Sequence, residues 1–364
     1  MNRRRGCSVF AVLSVLGLVA CSSAEVPSEY DDEGPGPSAG GNAPSDSFDK
    51  GGGGSSGDAG AGTIACASSA VEAALSPITL VFMIDRSGSM GEDAAKKTTK
   101  WDPVVAGLKS FFTSPDAKGV SASLGYFPEG DPDDKDYCKS ATYEKAKFAR
   151  TALPSATLAS SIDSISPTAE GTPGAPALRG ALDLASKTAA ATKQPAAVVF
   201  VTDGDPNKCD STPAAVSAIA SAYKATVKTY VIGIGNVATL NQVAVAGGTT
   251  AAQIVAIGSP TKTKDDFLKT LSKIRGAALP CELAIPKPPV GQTLDFAKVN
   301  LSLDASGKKA DLPQGSDCTS GAGWRYDDPK APTKILLCPS TCDAAKGGGK
   351  LAVSFGCATK TNVQ

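Results

Sequence analysis

The sequence contains no histidine, and this absence excludes several kinds of site at once. Without histidine the chain has neither a Ser-His-Asp triad nor the usual imidazole ligands of zinc, and it lacks the commonest general base. The chain also has no excess of charge of either sign, because Lys+Arg and Asp+Glu are equal at 36 each. A balanced charge gives no electrostatic support for nucleic acid as a partner.

The N-terminal residues have the composition of a targeting segment. Three arginines at 3–5 precede an apolar stretch from 7 to 20, which is too short for a comfortable membrane span. The stretch ends Leu18-Val19-Ala20-Cys21 and resembles a bacterial lipobox. The resemblance implies cleavage before Cys21 and a lipid on its thiol, and two or more acyl chains anchor a protein stably.

These features predict where the chain resides. We expect a lipoprotein signal peptide at 1–20 and a lipid-anchored protein in the bacterial cell envelope, at the outer membrane or cell surface rather than the inner membrane. An ordinary signal peptide with a chance cysteine is the alternative. Residues 21–65 are rich in Gly, Ser, Pro and Asp with almost no large apolar side chain, so we predict a disordered linker there.

The following residues alternate between strand and helix signals. Residues 77–84 and 196–201 are continuous apolar runs, typical of strands buried on both faces, and 101–112 has helical periodicity. Such alternation implies βαβ crossovers, so we predict a doubly wound α/β domain at 66–281 with a mostly parallel sheet. Residues 282–364 are rich in Pro, Gly, Lys and Cys and predict a small disulfide-rich β appendage. Further strands are expected at 120–127, 227–234, 253–257, 334–337 and 351–355, and further helices at 158–165, 175–190, 214–223, 240–246 and 265–275.

The string Ile84-Asp85-Arg86-Ser87-Gly88-Ser89-Met90 stands where the first predicted strand ends, and ligands of open parallel sheets bind beyond the carboxyl ends of the strands. Asp85, Ser87 and Ser89 offer a carboxylate and two hydroxyls, the oxygen ligands that a hard cation requires. Gly88 permits the tight backbone turn that brings them together. The alternative is a helix N-cap formed by one of the serines, and the string alone does not decide between them.

Two more segments place oxygen ligands near the same sheet edge. Residues 199–204, Val-Phe-Val-Thr-Asp-Gly, form a second buried strand that ends in Asp203. The turn Glu170-Gly171-Thr172-Pro173 presents a hydroxyl just before a predicted helix. A mostly parallel sheet would place Asp85 and Asp203 at the same end of neighbouring strands.

Together these positions resemble the metal-ion-dependent adhesion site of von Willebrand factor A-type domains, the fold shared with integrin inserted domains. The family's pattern is Asp-x-Ser-x-Ser, then a distant Thr, then an Asp at the end of the fourth strand. Here it falls, in order, on Asp85, Ser87, Ser89, Thr172 and Asp203. The resemblance covers about residues 75–278 and implies a Rossmann-like fold.

The resemblance also implies a role for each residue. Ser87, Ser89 and Thr172 would bind the ion directly through hydroxyl oxygens, and Asp85 and Asp203 would act through waters or switch between water-mediated and direct binding. Neutral ligands leave the ion electrophilic, and one open position would take a Glu or Asp carboxylate of a protein partner. Mg²⁺ is the expected ion, with Mn²⁺ or Ca²⁺ as alternatives. We therefore expect a metal-dependent protein-binding module and no enzyme; the alternatives are a structural envelope protein whose metal only stabilises the fold, and a metal-assisted hydrolase.

The ten cysteines predict disulfides, because the chain is expected to be exported. Cys7 would leave with the signal peptide and Cys21 would carry the lipid. The remaining cysteines are Cys66, Cys138, Cys209, Cys281, Cys318, Cys338, Cys342 and Cys357. A zinc site that includes Cys338-x-x-x-Cys342 is the alternative.

The fold that the resemblance implies suggests particular pairings. The two ends of such a domain lie close together, so a Cys66–Cys281 bond would clamp them. Cys138 and Cys209 would lie in loops on the metal face, where a bond would brace the rim. The other four would pair among themselves, namely Cys318, Cys338, Cys342 and Cys357.

Overall fold

The computed structural model describes residues 69–91, 100–168, 170–235, 237–291, 293–319 and 321–361. The predicted signal peptide, the whole of the predicted linker at 21–65, and Cys21 and Cys66 lie outside the described residues. The strands are, in chain order, β1 (Ser69–Ala73), β2 (Ile78–Asp85), β3 (Val120–Phe127), β4 (Phe148–Ala152), β5 (Ala196–Thr202), β6 (Lys228–Ile234), β7 (Gln253–Val255), β8 (Glu282–Ala284), β9 (Val299–Ala305), β10 (Lys308–Leu312), β11 (Trp324–Tyr326), β12 (Lys334–Leu337) and β13 (Lys350–Phe355). The α-helices are α1 (Gly88–Gly91), α2 (Trp101–Thr113), α3 (Ser140–Tyr143), α4 (Ala156–Ser161), α5 (Gly174–Thr192), α6 (Pro213–Tyr223), α7 (Leu240–Ala246), α8 (Pro260–Ala278) and α9 (Pro339–Lys346).

A six-stranded sheet with the order β4-β3-β2-β5-β6-β7 forms the larger part of the fold. All its neighbouring strands pair in parallel except β4, which runs antiparallel to β3 at one edge. Every residue of β2, β3 and β5 is buried, as their continuous apolar sequences predict. The predicted doubly wound, mostly parallel α/β fold is confirmed.

Helices cover both faces of this sheet, because alternate residues of a strand point to opposite sides. On β2, Leu80, Phe82 and Ile84 pack with residues of α2, α4 and α8. Val81 and Met83 point the other way and pack with residues of α5, α6 and α7. The central strand is therefore held between two apolar layers, and its one charged side chain, Asp85, lies at its carboxyl end.

Two antiparallel sheets form the C-terminal region, with orders β1-β13-β9-β10 and β11-β12-β8. Their inner residues share one apolar cluster with α9, centred on the fully buried Trp324. The Trp324 indole Nε1 donates a hydrogen bond to the Leu312 carbonyl at 3.1 Å, so the buried ring leaves no unmade bond at its polar end. The predicted β appendage is therefore present, and α9 is an element that the sequence reading did not predict.

The strand β1 corrects the predicted domain boundary at residue 66. Ser69–Ala73 pairs antiparallel with β13, from Ser69 opposite Phe355 to Ala73 opposite Leu351, and so belongs to the C-terminal sheet. The reason is its pattern: Val71 and Ala73 alternate with exposed residues and pack on the C-terminal cluster. The C-terminal region is thus built from both sides of the six-stranded domain.

The disulfides confirm part of the predicted pairing and correct the rest. Cys138–Cys209 is bonded, as predicted, and Cys318–Cys338 is a pair within the predicted group of four. The predicted Cys66–Cys281 bond is wrong, because Cys281 is bonded to Cys342. Cys281 directly precedes β8, and its carbonyl accepts a hydrogen bond from the Leu337 amide at 2.8 Å, so the chain there already belongs to the C-terminal sheets.

That bond also changes the predicted pairing among the last four cysteines. Cys342 has its partner outside that group, and Cys357 is also disulfide-bonded. Because Cys338 and Cys342 are both in disulfides, they have no free thiolates for the alternative zinc site.

Among the described helices, none is long and apolar enough to cross a membrane.

Candidate metal site

The motif residues lie at the carboxyl edge of the six-stranded sheet. Asp85 is the last residue of β2, and the chain turns through Ser87 into the short helix α1. Asp203 follows directly after β5, the parallel neighbour of β2. The parallel topology therefore places both carboxylates at one edge, as predicted.

Asp85 is fully buried, and each of its carboxylate oxygens accepts a hydrogen bond. The Ser87 amide donates to Oδ1 at 2.8 Å, and the Thr202 hydroxyl donates to Oδ2 at 2.6 Å. Burial raises the pKa of Asp85 to about 6; the two hydrogen bonds lower it, and the charge of Asp203 raises it further. A buried carboxylate held by neutral donors is a group that a nearby cation would stabilise.

Ser89 contacts Asp203, and Ser87 contacts Ser89. The Ser89 hydroxyl donates to Asp203 Oδ1 at 2.8 Å, and the Oγ atoms of Ser87 and Ser89 are 3.2 Å apart. A helix cap would direct these hydroxyls to backbone amides of the next turn, so the convergence on Asp203 favours a ligand site over the alternative of a simple cap. The other oxygen of Asp203, Oδ2, is paired with the ammonium group of Lys100.

Thr172 is placed by the backbone on both sides of it. Its amide donates to Asn207 Oδ1 at 2.9 Å, and its carbonyl accepts from the Asn207 amide at 3.1 Å, so it is fixed to the loop that follows Asp203. The Gly88 amide donates to the Glu170 carbonyl at 2.9 Å, which fixes the same turn to the serine loop. The buried Thr172 therefore lies where the two loops meet.

Gly171 explains why this turn approaches Asn207 so closely. A Cβ at Gly171 would lie 2.7 Å from Asn207 Oδ1 and 2.8 Å from Lys208 Cγ, so a larger residue would displace these two side chains. We name the set of five side chains the acid–hydroxyl cluster, defined as Asp85, Ser87, Ser89, Thr172 and Asp203.

The loops around the cluster are braced from outside. The Cys138–Cys209 disulfide joins the loop after β3 to the loop after β5. Arg86 points away from the cluster: its Nε donates to the Pro128 carbonyl at 2.9 Å, and its Nη2 lies 3.5 Å from Glu129 Oε2. The rim is therefore held by contacts that use none of the cluster's oxygens.

Three neighbours of the cluster were not predicted from the sequence. Thr202 gives the strongest contact to Asp85, and a hydroxyl at the end of a buried strand is a signal that could have found it. Asn207 lies four residues after Asp203, in a loop where an amide is common and gives little signal. Lys100 is far from Asp203 in sequence, and no local pattern links the two.

The donor set is rich in hydroxyls and poor in acids. Within the described ranges, no group of three or more His, Cys, Asp or Glu side chains could hold a metal ion. The acid–hydroxyl cluster contains two carboxylates, so a cation held there would depend on Ser and Thr oxygens to complete its coordination.

Solved structures of von Willebrand factor A type are similar to the chain, whereas no family model and no curated protein matches it. A von Willebrand factor type A structure from Catenulispora acidiphila shares 14% identity over 82% of this chain and 66% of its own, with a TM-score of 0.36. Proximal thread matrix protein 1 from the mussel byssus, with a zinc-occupied MIDAS motif, shares 16% over 56% of this chain and 48% of its own, with a TM-score of 0.35. Manganese-loaded TRAP protein of Plasmodium vivax shares 15% over 75% and 97%, with a TM-score of 0.35.

These similarities agree with the resemblance found in the sequence, but they are distant. The chain spans about half of the mussel protein, 48% of its length. Since the TM-scores reach only 0.36 among the three, the fold assignment rests on the strand order and on the position of the motif in this chain.

Proposed function

We propose that the six-stranded domain is a metal-dependent protein-binding module of the von Willebrand factor A type. The observation that carries the proposal is the convergence of Asp85, Ser87, Ser89 and Asp203, with contacts of 2.8–3.2 Å among them, at the carboxyl edge of a parallel sheet. Such edges are where ligands of open α/β sheets bind. The proposal rests on this geometry and on the motif.

The residues present fit a divalent cation. Neighbouring oxygens around an octahedral Mg²⁺ lie about 3 Å apart, and the Ser87 and Ser89 hydroxyls are 3.2 Å apart. Those two hydroxyls and that of Thr172 would hold the ion directly, and Asp85 and Asp203 would act through waters. We propose Mg²⁺ as the resident ion, with Mn²⁺ or Ca²⁺ as alternatives.

The partner in this proposal is a protein that offers a Glu or Asp carboxylate. Three neutral hydroxyl ligands leave most of the charge of the ion uncompensated, so an acidic side chain at an open position is strongly attracted. A histidine-free site is better suited to binding than to proton transfer, which is why we propose binding rather than catalysis. With Cys21 lipidated, the module would stand on the bacterial envelope.

Metal binding is tested most directly by calorimetry. We expect Mg²⁺ to bind the wild-type protein and to bind Ser89→Ala at least about 10-fold more weakly, because one direct ligand is lost. Ser272→Ala is the matched control, since the Ser272 hydroxyl donates to the Leu268 carbonyl on the exposed side of α8. Equal Mg²⁺ affinity in all three proteins would contradict the assigned ligands.

Partner binding needs a second measurement. Capture of proteins from envelope extract should depend on Mg²⁺, stop with EDTA, and stop in Ser89→Ala. If the metal binds but capture is the same in EDTA, the structural alternative, in which the metal only stabilises the fold, is favoured. Turnover of an ester or phosphate that disappears in Ser89→Ala would favour the hydrolase alternative.

A further inference from the structure

Asp203 has one neutral partner and one charged partner. Its side chain is fully buried, Oδ1 accepts from the Ser89 hydroxyl at 2.8 Å, and Oδ2 forms an ion pair with the Lys100 ammonium group. The Lys100 side chain is itself only 17% exposed. The pair is therefore shielded from solvent, where an ion pair is much stronger than at a surface.

The ammonium group supplies a positive charge to a site that holds two acids. Asp85 is close enough to Asp203 for the charge of one to raise the pKa of the other. Arg86 lies within the motif but pairs with Glu129 on the rim. In the described part of the site, the positive charge of Lys100 thus compensates the negative charge of Asp203. A bound cation would otherwise do the same.

The position of Lys100 in the chain is unusual for a lysine. It is the N-cap residue of α2, and its side chain makes no capping hydrogen bond. Helix N-caps favour Ser, Thr, Asp and Asn, and a positive charge at a helix N-terminus is repelled by the helix dipole. The backbone is fixed there because the next residue, Trp101, is buried and packs against Tyr126 at 6.1 Å between ring centroids. The unfavourable charge is offset by Asp203.

We propose that Lys100 is a built-in counter-ion that holds Asp203 in the metal-free protein and competes with the divalent cation for it. The inference rests on the proposed metal site. When the ion enters, the ammonium group leaves Asp203, because a divalent cation and an ammonium group against the same carboxylate repel each other at short distance. The long flexible side chain of lysine can make this move while its backbone stays in place.

This competition sets the affinity of the site. The ion binds only the fraction of molecules in which Asp203 is released, so the apparent dissociation constant equals the intrinsic constant divided by that fraction and is therefore higher. Ser87, Ser89 and Thr172 determine which ion fits, whereas Lys100 determines the metal concentration at which the site fills. With the Lys100–Asp203 ion pair, the protein exchanges its metal more readily than the same cluster would without Lys100.

The test is Lys100→Met, which keeps the length and apolar stem of the side chain and removes the charge. Calorimetry with Mg²⁺ and with Mn²⁺ should show about 10-fold tighter binding than in the wild type. In EDTA, Lys100→Met should melt at a lower temperature than the wild type, since Asp203 loses its counter-ion, and added Mg²⁺ should restore more of the melting temperature than in the wild type.

Two further variants make the result specific. Lys109→Met removes an exposed lysine of the same helix, which pairs with Asp163, and should leave the metal affinity unchanged. Lys100→Arg keeps the charge and should keep the weaker binding. Equal or weaker metal binding in Lys100→Met, with a wild type that does bind metal, overturns the competition and leaves the proposed function intact. No metal binding by either protein overturns the proposed function itself.

Discussion

The acid–hydroxyl cluster and the C-terminal sheets are stabilised in opposite ways. The C-terminal sheets bury apolar side chains around Trp324, and their region contains the Cys281–Cys342 and Cys318–Cys338 disulfides. The cluster buries two carboxylates whose partners are hydroxyls, an amide and one ammonium group. Burying charge costs stability unless it is compensated, so the C-terminal sheets contribute stability through apolar burial, whereas the cluster contains charge that its neighbours must compensate.

The largest expected effect is the loss of a disulfide from the C-terminal region. Cys281→Ser with Cys342→Ser opens a link over 61 residues, and we expect the unfolding free energy to fall by about 4 kcal/mol. Because this link lies outside the cluster, the Mg²⁺ affinity measured by calorimetry should not change. Denaturant titration gives the stability.

The matched control is the disulfide on the metal face. Cys138→Ser with Cys209→Ser removes a link over 71 residues, so the stability loss should be similar. Here, however, the Mg²⁺ affinity should also fall, because the loops after β3 and β5 lose their brace. The same Mg²⁺ affinity in both pairs of variants would remove the distinction between the two regions.

The second effect is a pH dependence that comes from Asp85. Its pKa in the folded protein, about 6, lies above the ordinary value of 3.8, so the folded state holds this proton more tightly than the unfolded chain. Its contribution to the unfolding free energy in EDTA should therefore rise by about 2.4 kcal/mol as the pH falls from about 7 to about 4. The measurement is the difference between wild type and Asp85→Asn at each pH; a constant difference would contradict it.

A smaller effect is expected for Thr202→Val, which keeps the shape of the side chain. The variant removes the hydroxyl that donates to Asp85 Oδ2 at 2.6 Å, and we expect a loss of about 2 kcal/mol in EDTA. Bound Mg²⁺ would compensate part of this loss by stabilising Asp85. A loss of stability that is the same with and without metal would show that the metal does not compensate for the lost hydrogen bond to Asp85.

The smallest effect is expected for an ion pair on the surface. Lys109 and Asp163 have side chains that are 37% and 60% exposed, so Lys109→Met should change the unfolding free energy by about 0.5 kcal/mol or less. Thermal melting at low and high salt measures the change. A loss as large as that of Lys100→Met would mean that burial does not distinguish the two lysines.

The sequence predicts the six-stranded domain well because its central strands are continuous apolar runs. The predicted strand at 120–127 coincides with β3, and the one at 196–201 ends one residue short of β5. Edge strand β4 was missed, since Phe148–Ala152 is only partly buried and carries no such run. Strand burial, more than local propensity, determined which elements could be found.

The C-terminal region was harder to predict for the same physical reason. The hairpin of β9 and β10 turns at Ser306 and Gly307, both with positive φ, so the Ser-Gly pair was a usable signal that the reading did not use. The pairing of β1 with β13 joins residues almost 300 positions apart, and no local pattern contains that information. In the cluster, likewise, the motif gave the oxygen ligands, but it could not give Lys100, whose contact is created by the fold.

The pairing of β1 with β13 has a mechanical consequence. The chain enters the C-terminal sheet at Ser69 before it continues into β2 and the cluster, so tension applied through the preceding residues reaches the β1–β13 ladder first. A pull along β1 loads its backbone hydrogen bonds together, in shear, rather than one after another. We therefore expect the β1–β13 ladder to bear such a load before the six-stranded sheet that carries the motif.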